Sequence, residues 1–141
     1  MAAEPTIQRS FRLAARTAAM LDERAAERAE SRNSLAQRLL DEGLRRERHP
    51  LIYFRQNADG RRRPALVGTR LYVWQIVATV SSEEGSVEGA ARYLGLTEAQ
   101  VRAALAYHAD FREEVEREAA EEAEFARREE ERQRRASALA G

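Results

Sequence analysis

Gln8, Ser10 and Arg12 stand at alternate positions of Thr6-Ile7-Gln8-Arg9-Ser10-Phe11-Arg12-Leu13. In an extended backbone they share one face and Ile7, Phe11 and Leu13 share the other. The polar face suits base edges: a guanidinium can pair bidentately with guanine and a side-chain amide with adenine, while a serine is less informative. Two further places could hold phosphate. One is the run Arg61-Arg62-Arg63, which could lie along a nucleic-acid backbone. The other is the start of a helix near Asn33 and Ser34, where unpaired backbone amides point outward. Each feature also has a plainer explanation. Gln8, Ser10 and Arg12 would be the wet face of an edge strand, and the three arginines would be solvating charges that block edge-to-edge pairing.

Catalytic chemistry has no comparable support. The two histidines, His49 and His108, stand far apart without HxH or HExxH spacing, and there is no cysteine, which leaves no zinc-ligand pattern. No glycine-rich phosphate loop occurs. The carboxylates lie in mixed charge runs, where a solvated face is the normal explanation. The expectation is a protein that is not an enzyme and uses no metal or cofactor.

At 141 residues the chain suits one ordinary domain or two very small ones, and the order of its elements favours two. Formal charge is zero, with 15 basic and 9 acidic residues up to Arg70 and 9 and 15 beyond it, about +6 and −6. Such a split points to a nucleic-acid-facing N-terminal part and an acidic C-terminal part that meets something basic. All 24 basic residues are arginine, a side chain fitted to guanine and phosphate alike. The N-terminus has no apolar leader, and no apolar run approaches the roughly 18 to 20 residues that span a bilayer. A cytoplasmic location is expected, in keeping with the absence of cysteine.

The alternating segment reads as a lone half-buried strand. Helices are expected over about Ala15–Glu30, and from Ser34 or Leu35 to about Arg48, ended by His49-Pro50. One strand and two helices in about 43 residues bury too little surface alone, since domains this small usually need oligomerisation. Pairing two copies of the strand supplies the missing edge, with Phe11, Leu13, Leu21, Leu35 and Leu39 as the dimer core. In order and spacing, Thr6 to Arg48 is similar to the ribbon-helix-helix repressors. That resemblance implies an intertwined dimer laying a two-stranded ribbon in the major groove of double-stranded DNA.

Leu51–Phe54, the turn Asn57-Ala58-Asp59-Gly60 and the run into Ala65 read as a hairpin. Trp74, Ile76, Val77 and Val80 favour a helix. Ser86 caps a short one that ends at Gly95, and Thr97 with Gln100 forms a capping box for the next. This is helix-turn-helix spacing. Glu98, Gln100 and Arg102 are poor material for a polyanion, so dimerisation or partner docking is as good a use for that helix. Trp74, Tyr72 and Tyr93 read as core rather than as a base-stacking platform. Pro64, Gly68-Thr69-Arg70, Val73, Ile76, Ser86-Val87-Glu88, Tyr93, Leu96, Val101 and Ala104-Leu105-Ala106-Tyr107 resemble the domain-of-unknown-function family 433, small winged or tri-helical proteins often encoded beside PIN-like toxins. His108 stands where that family commonly has a second aromatic or small residue.

From Phe111 onward a charged helix is expected, with a thin stripe of Phe111, Val115, Ala119, Ala123 and Phe125 or Ala126. It would fray after about Arg128 and leave Ser137–Gly141 disordered. The expected fold is mainly α with short β: a ribbon-helix-helix domain (1–48), a β-hairpin plus tri-helical helix-turn-helix domain (51–110) and a charged helical tail (111–141).

The two resemblances together imply an antitoxin of the VapB type that represses its own operon and neutralises a PIN-like ribonuclease toxin. Phe111, Val115, Phe125, Arg127, Arg128 and Arg132 would meet the toxin, an arginine among Arg127, Arg128, Arg132 or Arg134 entering its Mg²⁺-binding carboxylates. A stand-alone DNA-binding regulator without a toxin, and a pure assembly module, are the alternatives.

Overall fold

The structure, a computed structural model, describes residues 4–140. Its elements are α1 (Ala15–Glu27), α2 (Arg32–Arg48), β1 (Ile52–Gln56), β2 (Arg62–Leu66), α3 (Val73–Ser82), α4 (Val87–Leu94), α5 (Glu98–Asp110) and α6 (Arg112–Ala140). The protein is thus mainly helical, with one two-stranded antiparallel sheet. It divides within α2 into a unit that ends at Gly43 and a unit that begins at Leu44. No helix of the described residues is long and apolar enough to cross a membrane.

The first unit holds α1 and most of α2. α1 is rich in alanine and arginine, which lose little side-chain freedom in a helix. It closes with Ala29 at φ 51. The Glu30 amide donates to the Ala25 carbonyl at 3.0 Å and the Ala29 amide to the Ala26 carbonyl at 3.3 Å, the bonding of a Schellman end. Ser31, not Ser34, caps α2: its Oγ accepts from the Ser34 amide at 3.0 Å. Ala25 and Leu35 are the buried residues here. Residues 4–14 form neither helix nor strand in the single chain, so the expected strand at Thr6–Leu13 is not formed. A strand is held by ladder bonds to a neighbour, and the only described sheet pairs β1 with β2.

In the second unit the hairpin closes at Asn57–Arg61, with Ile52 opposite Leu66 and Arg55 opposite Arg63. Gly60 takes φ 85 in that turn, a value that suits glycine. Tyr72 adds a single bridge to Ala65, and α3 starts beside it with the Gln75 side chain accepting from the Tyr72 amide at 2.8 Å. α4 is capped by Ser86 and ends at Gly95 in the left-handed region. The Thr97–Gln100 capping box opens α5. These local devices fall where the residue types require them.

Ile52, Leu66, Val73, Ile76, Val80, Val101 and Tyr107 form the core, which continues through Val115 into α6. The tail is therefore not separate. Phe111 packs against the core and Val115 is 1% exposed, which corrects the expectation that both are free to hold a partner: they are anchored in their own domain. α6 runs to Ala140 rather than fraying after Arg128, sustained by ion pairs four or three residues apart, such as Arg135–Glu131 at 2.7 Å. Gly141 lies outside the described residues.

Candidate functional site

Three places carry the polar and apolar groups that could meet a partner: the N-terminal segment, the contact between the hairpin and α6, and the far half of α6.

In the N-terminal segment Gln8, Ser10 and Arg12 are exposed. So are their apolar neighbours, with Ile7 at 78%, Phe11 at 68% and Leu13 at 51%. Of the five residues expected in a dimer core, Leu35 is buried, Leu21 is half-buried, and Phe11, Leu13 and Leu39 are exposed in the single chain. Leu40 and Met20 add further large exposed apolar groups.

The start of α2 differs from the phosphate site expected there. The Ser34 amide is taken by Ser31 Oγ, and the Ser34 hydroxyl donates to Glu30 Oε1 at 3.1 Å. Glu30 also accepts from Arg38 at 3.3 Å. The guanidinium of Arg38 and the Ser34 hydroxyl hold its carboxyl below the usual range. A carboxylate of the chain itself thus lies at this helix end, and the Ser34 amide is not free.

The three hairpin arginines are likewise engaged. Arg63 is 3% exposed and pairs with Glu121 at 2.9 Å and with Glu122. Arg61 pairs with Glu121 as well. Arg62 donates to the Phe54 carbonyl at 3.3 Å. Burial and carboxylate partners take Arg63 away from any phosphate, which overturns its expected role. The basic group met by the acidic C-terminal half is in part this chain's own hairpin, so part of the charge split is internal complementarity.

Next to this contact lies a polar cluster that the sequence did not mark. Arg45 donates to the Tyr107 hydroxyl at 2.8 Å and to Glu114 at 2.6 Å, and its guanidinium lies 4.0 Å from the Phe111 ring centre. Burial pushes the Tyr107 hydroxyl beyond the ordinary phenol range against the pull of Arg45. His49 Nε2 and Asp110 Oδ2 lie 2.7 Å apart, and the His49 ring meets Tyr107 edge-on. Glu118 is buried with Oε2 unpartnered. Burial, then the neighbouring Glu114 charge, pushes its carboxyl up to about 7, with Arg63 and Arg45 opposing. Arg45 stands in the run Arg45-Arg46-Glu47-Arg48, so nothing local singled it out. Among the described residues no group of three or more His, Asp or Glu could hold a metal ion.

Beyond Glu122 several arginines of α6 pair within the helix: Arg127 and Arg128 with Glu124, and Arg132 with Glu129. Phe125 is 61% exposed beside them. Tyr93, expected in the core, is 75% exposed on α4, whereas Trp74 packs against the core and Tyr72 lies half-buried under Arg55. On α5, Arg102 and Glu98 approach to 3.6 Å and neutralise one another.

No curated protein and no solved structure gives a significant match to this chain. Residues 61–108, from the end of the hairpin turn to the last turn of α5, match the family described as "Protein of unknown function (DUF433)".

Proposed function

We propose that this chain is a homodimeric DNA-binding repressor acting as the antitoxin of a type II toxin–antitoxin pair. The observation that carries the reading is the state of the first unit. Phe11 and Leu13 alternate with Gln8, Ser10 and Arg12 on a segment without a strand partner, ahead of two helices that bury only Ala25 and Leu35 among the described residues. A second copy supplies both the missing edge and the missing core. Pairing puts Phe11, Leu13 and Leu39 inside and leaves Gln8, Ser10 and Arg12 facing bases in the major groove.

The far half of α6 is the arm for the toxin. It keeps Phe125 exposed with Arg127, Arg128 and Arg132 beside it. Arg134, which has no ion pair among the described residues, is the arginine best placed to exchange water for a nuclease carboxylate. The match to DUF433 at residues 61–108 names no function, and the toxin partner rests on the resemblance to antitoxins alone. The alternative, a regulator without a toxin, draws support from the engagement of Glu121 and Glu122 by Arg61 and Arg63, which gives the proximal tail an internal role.

The test is a mobility-shift titration against the DNA upstream of the gene at two salt concentrations, with the native chain and Arg12→Ala. Native binding to that DNA over an unrelated duplex, reduced on Arg12→Ala, supports the ribbon. Equal affinity for both duplexes sinks it. For the toxin arm, a PIN-like ribonuclease encoded beside this gene should be inhibited by the full chain and not by a chain ending at Ala126. Inhibition by both removes the arm from the mechanism.

A further inference from the structure

Glu118 is the one carboxylate buried among the described residues, 9% exposed on α6, and its Oε2 has no hydrogen-bond partner. The cations that face it are already taken. Arg45, from the last turn of α2, holds Glu114 at 2.6 Å and the Tyr107 hydroxyl of α5 at 2.8 Å. Arg63, from β2, holds Glu121 at 2.9 Å and Glu122 as well, and Arg61 adds a second bond to Glu121. α3, which also packs on α6, contributes no charged residue.

Glu114, Glu118 and the pair Glu121–Glu122 follow one another at single-turn spacing and so share a face of the helix. The outer carboxylates have guanidinium partners, and the middle one has none. Ionised, Glu118 would sit out of water between like charges one turn away on either side, with no donor turned to it. Neutral, it adds no charge to a cluster whose other acids are already matched. Burial, then the Glu114 charge, accordingly pushes its carboxyl up to about 7, with Arg63 and Arg45 opposing. Glu116, 3.6 Å from His108, is exposed and lies on the opposite side of the helix, two positions away.

We propose that the first half of α6, Arg112 to Glu122, is a proton-operated latch: it lies closed on the hairpin and the end of α2 while Glu118 is neutral, and ionisation of Glu118 releases it while α3 and α4 stay folded. The open form uncovers Phe111 and Val115 and frees Arg61 and Arg63 from their carboxylates. Because the folded carboxyl is raised, closure is strongest in acid and weakens as pH rises through about 7.

The test is peptide-resolved hydrogen exchange of the full chain between about pH 5.5 and 8.5, corrected for intrinsic rates, with Glu118→Gln and Glu121→Gln beside it. At about pH 8 the amides of residues 112–122 should be at least about 10-fold less protected than those of α3 and α4. Their opening constant should rise about 10-fold from about pH 6 to 8 and level off above about 7. Glu118→Gln, uncharged and of the same shape, should remove the rise. Glu121→Gln takes away a neighbouring charge and leaves Arg63 its bond to Glu122, so the rise should remain and level off at lower pH.

Equal protection of residues 112–122 and of α3 and α4 at about pH 8 overturns the latch in favour of unfolding of the whole unit. A rise that survives Glu118→Gln overturns it by placing the proton elsewhere, as does an unmoved level-off in Glu121→Gln.

Discussion

Arg63 on β2 and Glu121 on α6 stand 58 residues apart in sequence and 2.9 Å apart in space, the arginine being 3% exposed and the glutamate 37%. With Glu122 and Arg61 they fasten the helix to the hairpin. The tail is thereby part of the domain.

Arg63→Ala leaves two carboxylates without their cation and a cavity where the stem lay. Removing one partner of a fully buried pair costs about 3 to 5 kcal/mol, and the partial exposure of both glutamates lowers this to about 2. Urea unfolding should show that loss. Arg63→Met, which restores apolar volume, should recover part of it; a loss below about 0.5 kcal/mol would mean the pairs are ornamental.

Glu118 makes stability depend on pH. Its folded carboxyl is raised from the ordinary value of 4.5 to about 7, so the folded state holds the proton more tightly than the unfolded chain. The contribution is full below about 4.5 and is lost as pH rises through about 7. Allowing for solvent screening, its size is about 1 to 2 kcal/mol. Glu118→Gln should flatten the urea midpoint between about pH 5 and 8 and raise it at pH 8. An undiminished slope in the variant would place the titration elsewhere.

Glu84 ends α3 at φ 58, with the Gly85 amide donating to the Val80 carbonyl at 2.8 Å. A left-handed backbone costs a side-chain-bearing residue about 1 kcal/mol or more, and glycine returns part of that as unfolded-state entropy. Glu84→Gly should stabilise the second unit by about 0.5 to 1 kcal/mol in thermal unfolding. Ala29→Gly, at φ 51, should do the same for the first unit. Destabilisation by both would show that neither position carries strain.

The far half of α6 is bonded to itself. A chain ending at Ala126 keeps Val115, Glu118, Glu121 and Glu122, and its unfolding free energy should match the full chain within about 0.5 kcal/mol, the range of surface changes. A larger loss would reveal packing by the distal residues.

Val115→Ala removes two methyls from a site that is 1% exposed. It should cost about 2 kcal/mol. Phe125→Ser, at 61% exposure, should cost next to nothing. Similar costs for the two would mean that the stripe is one continuous packed face.

Helix ends were legible in the residues because they depend on atoms within a few positions. Ser86, Gly95 and the Thr97–Gln100 box satisfy neighbouring amides and carbonyls, and the turn at Asn57–Gly60 does likewise. The mainly helical class with one hairpin follows from these stops and from apolar spacing. Charge signs could be counted as well, but the +6 and −6 halves pointed to outside partners and did not say that they would meet one another.

Which partner each charge meets depends on chain closure over some 60 residues, and spacing carries no such information. The packing of α6 placed Glu121 and Glu122 against Arg61 and Arg63 and turned Val115 into core. A residue's type states what bonds it can make; its neighbours in space, set by the burial of a shared core, decide which of them it makes.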